Sequence, residues 1–233
     1  MADFDDDLRA WQRYLARIHT RHTSRQDGYI ALQSVAERVG HTCVARHNAG
    51  NETFLEIGVG GGEHIPFERD CDARFYVACD VSPDHARWCR DSFGIPTTCS
   101  DGAALPFEDD TFDSVLALGV LEHVVDLDGL LREVQRVLRP GGAFLVVVPT
   151  NGSLTIATFR ALVSYPSMWR QGIRRPWGVW HYENVNHFVR IRTLLAWRFT
   201  LHQGRGLPLG LWWRLAPLYF FHVINDREEG APR

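Results

Sequence analysis

The sequence predicts an α/β protein: a doubly wound, mostly parallel seven-stranded sheet with helices on both faces, an antiparallel last strand and an N-terminal helical cap. Three observations lead there. From Thr53 onward, short apolar runs alternate with helical stretches, the pattern of a parallel sheet covered on both sides. A glycine-rich loop, Glu56-Ile57-Gly58-Val59-Gly60-Gly61-Gly62, directly follows the first of those runs. Residues 1–50, in contrast, carry helical spacing.

The elements follow in order. Leu8, Trp11, Tyr14, Leu15 and Ile18 recur at spacings of three and four, so the chain reads as helical from about Asp6 to Val39, with a second helix over Tyr29 to Arg46. The segment His47 to Asn51 breaks the pattern. Phe54–Ile57 is a strand leading into the glycine loop, and a helix starts near His64. Phe75–Cys79 is the next strand and ends on Asp80. Ser82 at the N-cap and Pro83 at the first helical position open a helix that runs to about Phe93. A short strand near Thr97 to Ser100 precedes a loop carrying Leu105-Pro106-Phe107.

Phe112 to Leu118 is the fourth strand and Leu127 to Leu138 the helix after it. Arg139-Pro140-Gly141-Gly142 has the residues of a type II turn. Ala143 to Val148 is apolar throughout, as in a strand buried on both faces. After Pro149 the pattern loosens, and Thr150 to Asn186 reads as a long irregular lid. A helix near Arg190 to Trp197 and strands near Phe199 to Gln203 and Phe220 to Asn225 complete the sheet. The expected organisation is therefore a helical extension at 1–50 and a binding domain at 51–233, with a lid insertion at about 150–187.

Composition excludes several chemistries. The 233 residues are 45% hydrophobic, enough for one full core. All 25 basic residues are arginine, so neither a P-loop lysine nor a Schiff-base lysine is present. A net charge of −3 argues against binding nucleic acid through its phosphates. Cys43, Cys71, Cys79, Cys89 and Cys99 form no CxxC pair, and reduced thiols are expected, with no metal site. The acidic start Met1-Ala2-Asp3-Phe4-Asp5-Asp6-Asp7 lacks an apolar signal core, which predicts a cytoplasmic protein.

Glycines 58, 60 and 62 let the backbone turn sharply and approach a ligand at the carboxyl end of the first strand. An ordinary strand-to-helix turn would look the same. Asp80, ending the next strand, stands where a carboxylate accepts from both ribose hydroxyls; the alternative is a charge at a helix N-terminus beside Ser82. Loop and carboxylate together indicate an adenosine-containing cofactor. A dinucleotide fingerprint wants a glycine where Glu63 stands, which counts against a nicotinamide cofactor.

Four further blocks follow in order: Ser100-Asp101-Gly102-Ala103-Ala104-Leu105-Pro106-Phe107, Asp110-Thr111-Phe112-Asp113-Ser114-Val115, Leu121-Glu122-His123-Val124 and Leu138-Arg139-Pro140-Gly141-Gly142. This set resembles the class I, Rossmann-like S-adenosylmethionine-dependent methyltransferases of the type 11 group, over about residues 53 to 149. The resemblance implies that Glu56, Gly58, Gly60 and Gly62 surround the methionine and ribose parts of S-adenosylmethionine. It places Asp80 on the ribose hydroxyls and Val81 on the adenine ring. Asp101 would accept from the adenine amino group, with the backbone of Gly102 or Ala103 near a ring nitrogen. The backbone at Leu118 or Gly119 would meet the methionine amino group. Phe112 and Asp113 read as structural.

The acceptor is expected to be a small molecule whose O, N or C atom is methylated; acidic, phosphorylated or lipid-linked compounds all fit. His123, His181 and His187 are the candidate general bases, each weighed against a purely structural role. Arg170, Arg174 and Arg175 stand among Trp169, Trp177 and Trp180, a set suited to a phosphate or carboxylate, or to a solvated loop packed on aromatics. The apolar run Leu207 to Phe221 is too short and too broken by Pro208, Arg214 and Pro217 to span a bilayer. It is expected to join the last two strands, with peripheral contact to lipid or a second subunit as a lesser reading. Nucleic-acid methylation is disfavoured, since Leu118-Gly119-Val120-Leu121 stands where amino-methylating DNA enzymes carry an Asn-Pro-Pro-Tyr-type tetrapeptide. Two other functions stay open: a regulatory protein that binds the cofactor without catalysis, and a nicotinamide-dependent oxidoreductase.

Overall fold

The computed structural model describes residues 2–19, 28–68, 75–210 and 212–227. Two helices open the chain, α1 (Ala2–His19) and α2 (Gly28–Asn48), and residues 20–27 between them lie outside the described set. Then come β1 (Thr53–Ile57), α3 (Ile65–Glu68), β2 (Phe75–Asp80), α4 (Pro83–Phe93), β3 (Thr97–Cys99), β4 (Phe112–Leu118), α5 (Leu127–Val137) and β5 (Leu138–Pro149). The seven strands form one sheet in the order β3-β2-β1-β4-β5-β7-β6, where β6 is Thr200–Leu207 and β7 is Leu218–Ile224. β1 to β5 are parallel, and β7 runs antiparallel to both β5 and β6, as the sequence predicts.

Alternation along the strands sends side chains to two cores. Leu55, Val115 and Ala117 face α5 and the later helix α9 (Phe188–Arg198), among Leu130, Val134, Phe188 and Ile191. Phe54, Leu116 and Leu145 face the other way, onto Cys43 and Val44 of α2. Helix α5 buries Leu127, Leu130, Leu131 and Val134, a stripe at helical spacing, and Asp126 caps it by accepting from Gly129 N at 2.9 Å. Helix α4 begins as its sequence predicts: the Ser82 hydroxyl accepts from His85 N, Pro83 fills the first turn, and Gly94 closes the helix at φ +72°.

One expectation is extended and one needs correction. The Arg139–Gly142 turn is an excursion within β5, with Gly141 at φ +77° where a type II turn places its glycine. Leu138 already pairs with Phe112, and pairing resumes at Ala143 opposite Ser114. The segment 150–186 is largely helical, with α6 (Leu154–Phe159), a π-helical turn (Arg160–Ser164), α7 (Tyr165–Arg170) and α8 (Pro176–Glu183). No helical period shows there because both sides carry apolar residues. Met168, Ile173 and Val179 pack on Trp11 of α1, whereas Leu154, Leu162 and Trp169 stand in solvent.

Candidate functional site

The glycine loop is tied to the end of β2. Gly58 N and Val59 N donate to the Cys79 carbonyl at 2.8 and 3.2 Å, and Gly60 N donates to Asp80 Oδ2 at 2.9 Å. The other carboxylate oxygen of Asp80 accepts from Ser82 N at 2.8 Å, so this buried acid is held from both sides. His85 Nδ1 also stands 3.5 Å from Oδ1, while Oδ2 has two lone pairs and this one bond, which leaves it acceptor capacity for a ligand. From behind, Trp88 Nε1 donates to Gly61 O at 3.2 Å.

The loop has no room for side chains at two places. Gly58 lies at φ +70°, and a Cβ there would stand 2.5 Å from Val120 in the loop after β4. Gly62 lies at φ +84°, and its Cβ would stand 2.5 Å from the Phe93 ring. The backbone therefore forms a narrow cradle between β1, β2 and β4. Val81, next to Asp80, is 74% exposed, an apolar side chain left bare at the rim.

Glu56 is placed differently from the other loop residues. It is buried, with its carboxylate accepting from the Tyr76 hydroxyl, and burial pushes its pKa up. Behind it, His64 Nε2 lies 2.8 Å from Glu68 Oε1, and Nδ1 of His64 lies 3.1 Å from Nδ1 of His41. Asn48 Nδ2 donates to Glu68 Oε2 at 3.1 Å. This buried polar chain fastens α2 and α3 beneath the loop.

On the next rim, the exposed Asp101 accepts from Ala103 N at 3.0 Å, which fixes its carboxylate direction. Gly102 permits close approach, since a Cβ there would meet Leu130 at 2.7 Å. Gly119 follows the half-buried Leu118 at the end of β4 with φ +67°, and Glu122 Oε1 would stand 3.7 Å from a Cβ on it. Glu122 is a residue the sequence reading quoted without giving it chemistry. It is 3% exposed, its Oε2 has no hydrogen-bond partner, and burial raises its pKa. Its position directly before the candidate base His123 was the only available signal.

His123 Nδ1 lies 2.7 Å from the carbonyl oxygen of Glu183, at the end of α8. A carbonyl only accepts, so Nδ1 carries the proton, and in the neutral ring Nε2 holds the lone pair. Nε2 lies 3.8 Å from Glu122 Oε1. His181 and His187 are exposed, with ring centroids 5.4 Å apart, across the junction of α8 and α9. The fold thus gathers all three candidate histidines around the end of α8.

The helical segment 150–186 carries one arginine that sequence reasoning missed. Arg160 donates to Asn151 Oδ1 at 2.5 Å and lies 4.0 Å over the Trp180 ring, while Asn151 Nδ2 donates to Asn184 Oδ1 at 3.0 Å. Arg174 and Arg175 fasten this segment to α1 by their backbone, whose N–H groups donate to the Asp7 carboxylate at 2.7 and 3.0 Å. Trp11 Nε1 also donates to Glu183. An open depression of about 440 Å³ beside Gly50, Asp113, Arg139 and Gly141 lies at the opposite end of β4 from this cradle.

The comparisons with known proteins agree with that geometry. Residues 55–146 match the family model described as a methyltransferase domain. A sterol 4-C-methyltransferase of Caenorhabditis elegans is 36% identical over 110 residues, which are 43% of this chain and 33% of that one. A demethylmenaquinone methyltransferase of Streptomyces avermitilis is 37% identical over 113 residues, 48% of this chain and 47% of that one. The chain spans about half or less of the length of these curated relatives. Among solved structures, a SAM-dependent methyltransferase of Thermotoga maritima superposes with a TM-score of 0.64 at 14% identity, covering 94% of this chain and 99% of that one. A geranyl diphosphate methyltransferase solved in complex with SAM gives 0.59 at 14% identity, covering 87% and 93%.

The fold is the Rossmann-like fold of the class I methyltransferases. Over residues 55–146 the chain resembles a methyltransferase domain, the resemblance that the ordered motifs of the sequence implied.

Proposed function

We propose that the chain transfers a methyl group from S-adenosylmethionine to an O, N or C nucleophile of a small acceptor of lipid type. The observation that carries the cofactor reading is the Gly60–Asp80 bond, which sets a buried carboxylate with an open lone pair beside a cradle too narrow for side chains. Asp80 would hold the ribose hydroxyls, Val81 would cover the adenine ring, and Asp101 would accept from the adenine amino group. The backbone at Leu118 and Gly119 would accept from the methionine ammonium, with the buried Glu122 carboxyl close to Gly119. When bound, the cofactor supplies a methyl group on a sulfonium that already carries its leaving group. The chain's own task is then to orient the acceptor in line and exclude water. His123 Nε2, aimed by the Glu183 carbonyl, would take the proton of a weakly acidic acceptor.

A lipid-type acceptor is supported by the names of the relatives, which act on sterols and demethylmenaquinone, and by the aromatic and apolar lid. The test is methyl transfer from radiolabelled S-adenosylmethionine to a panel of sterols, prenylated quinols and fatty acids. Label extracted with one acceptor class supports the reading. S-adenosylmethionine binding with no transfer to any class would point to a regulatory protein.

A further inference from the structure

The segment 150–225 differs in charge from the whole chain. Between residues 150 and 225 stand nine arginines (positions 160, 170, 174, 175, 190, 192, 198, 205 and 214) and one acid, Glu183, in a protein whose net charge is −3. Large apolar side chains stand in solvent in the same stretch. α6, the π turn and α7 make one helical run from Leu154 to Arg170, because Phe159 and Tyr165 at its junctions keep right-handed helical dihedrals. On this run Leu154, Leu162 and Trp169 are exposed, and so are Trp212 and Leu215 in the β6–β7 connection. Two bonds fasten that connection to the start of the helix. Leu154 N donates to Arg214 O at 2.9 Å, and the Thr155 hydroxyl donates to Leu215 O at 2.7 Å. The Arg214 guanidinium lies 5.2 Å from the Trp212 ring, which brings cation and aromatic together.

Contiguous exposed apolar groups mark an interaction site. Tryptophan, leucine and arginine side by side suit the boundary of a bilayer, where rings settle at headgroup depth, apolar chains enter the acyl edge and guanidinium groups meet phosphate. We propose that helix 154–170 and the connection around 212–215 form a docking surface for an anionic lipid bilayer. On this surface Arg170 and Arg214 are exposed and no acid among the described residues stands beside them, whereas Arg160 is turned onto Asn151 and Trp180 and Arg198 is paired with Asp128. A two-fold second copy would set these two cations against their equivalents, whereas an anionic surface complements them. This goes beyond the methyl-transfer reading and does not require it.

The test is co-sedimentation of the full chain, without cofactor, with vesicles of phosphatidylcholine alone or mixed with phosphatidylglycerol. Partitioning is expected to rise about tenfold with the anionic lipid and to fall as salt is added. The double variant Leu162→Glu/Trp212→Glu, altered only at exposed positions, should lose about tenfold in partitioning, with its thermal unfolding and S-adenosylhomocysteine binding as in the parent. Equal partitioning onto both vesicle types, undiminished binding by the variant, or a dimer that the variant abolishes would each overturn the proposal. Vesicle binding without S-adenosylhomocysteine binding would overturn the cofactor reading and leave the docking surface standing.

Discussion

Gly60 N donates to Asp80 Oδ2 at 2.9 Å, joining the loop after β1 to the acid that ends β2. Ser82 N donates to the other oxygen, so one side chain sets both the shape of the loop and the start of α4. Replacing Asp80 by alanine removes these bonds and the expected ribose contacts together. A bond to a charged group contributes about 1.5–3 kcal/mol, so S-adenosylhomocysteine should bind about 10- to 100-fold more weakly. Calorimetric titration of the variant checks this, and unchanged affinity would remove Asp80 from the cofactor site.

Two glycines separate backbone strain from steric contact. Gly50 has φ +93° with nothing within 4 Å of a Cβ, whereas Gly58 has φ +70° and Val120 at 2.5 Å. Gly50→Ala should cost about 1–2 kcal/mol from the left-handed backbone alone. Gly58→Ala should cost more and also weaken cofactor binding, because the loop must shift. Urea denaturation read beside ligand titration distinguishes them, and equal costs would contradict the narrow cradle.

His123 donates from Nδ1 to the Glu183 carbonyl, leaving Nε2 to act as base. His123→Gln should lower kcat about 10²- to 10⁴-fold for a hydroxyl acceptor, with the affinity for S-adenosylhomocysteine unchanged. Steady-state kinetics on the acceptor found in the panel would show it. A kcat within twofold of the parent would return His123 to a structural role.

Acid should weaken the fold through His41. Burial, with His64 beside it, lowers the pKa of His41 from 6.5 to about 4. Above pH 6.5 the ring is neutral folded or unfolded, and the stabilisation is fully present. Between pH 6.5 and 4 the unfolded chain takes up a proton that the folded chain refuses, so stability falls with pH, by about 2 kcal/mol after allowing for partial exposure. His41→Gln should flatten the fall in thermal midpoint over this window. An unchanged slope would show that other groups carry it.

The strand pattern was legible because β1, β4 and β5 are buried on both faces and read as apolar runs, and α4 because Ser82, Pro83 and Gly94 mark its ends locally. The placement of α2 across one sheet face was not. It sets the half-buried His47 and the buried Asn48 in polar contacts, among them His47 Nε2 to Gln203 at 2.8 Å, and such contacts blur an amphipathic stripe. Helix 154–170 was missed for the opposite reason, because Leu162 and Trp169 leave its solvent side apolar. In the candidate site, glycines and acids at strand ends stood out because their spacing is local. Glu122 and Arg160 did not. What distinguishes them is burial and a partner distant in sequence, such as Trp180 beneath Arg160.

The central claim is that the loop from Glu56 to Gly62, with Asp80, holds S-adenosylmethionine. Isothermal titration of the full chain with S-adenosylhomocysteine, repeated in the presence of NADH, tests it most directly. The account predicts saturable one-site binding that NADH does not displace. An absence of heat with S-adenosylhomocysteine, or binding of NADH alone, would contradict it.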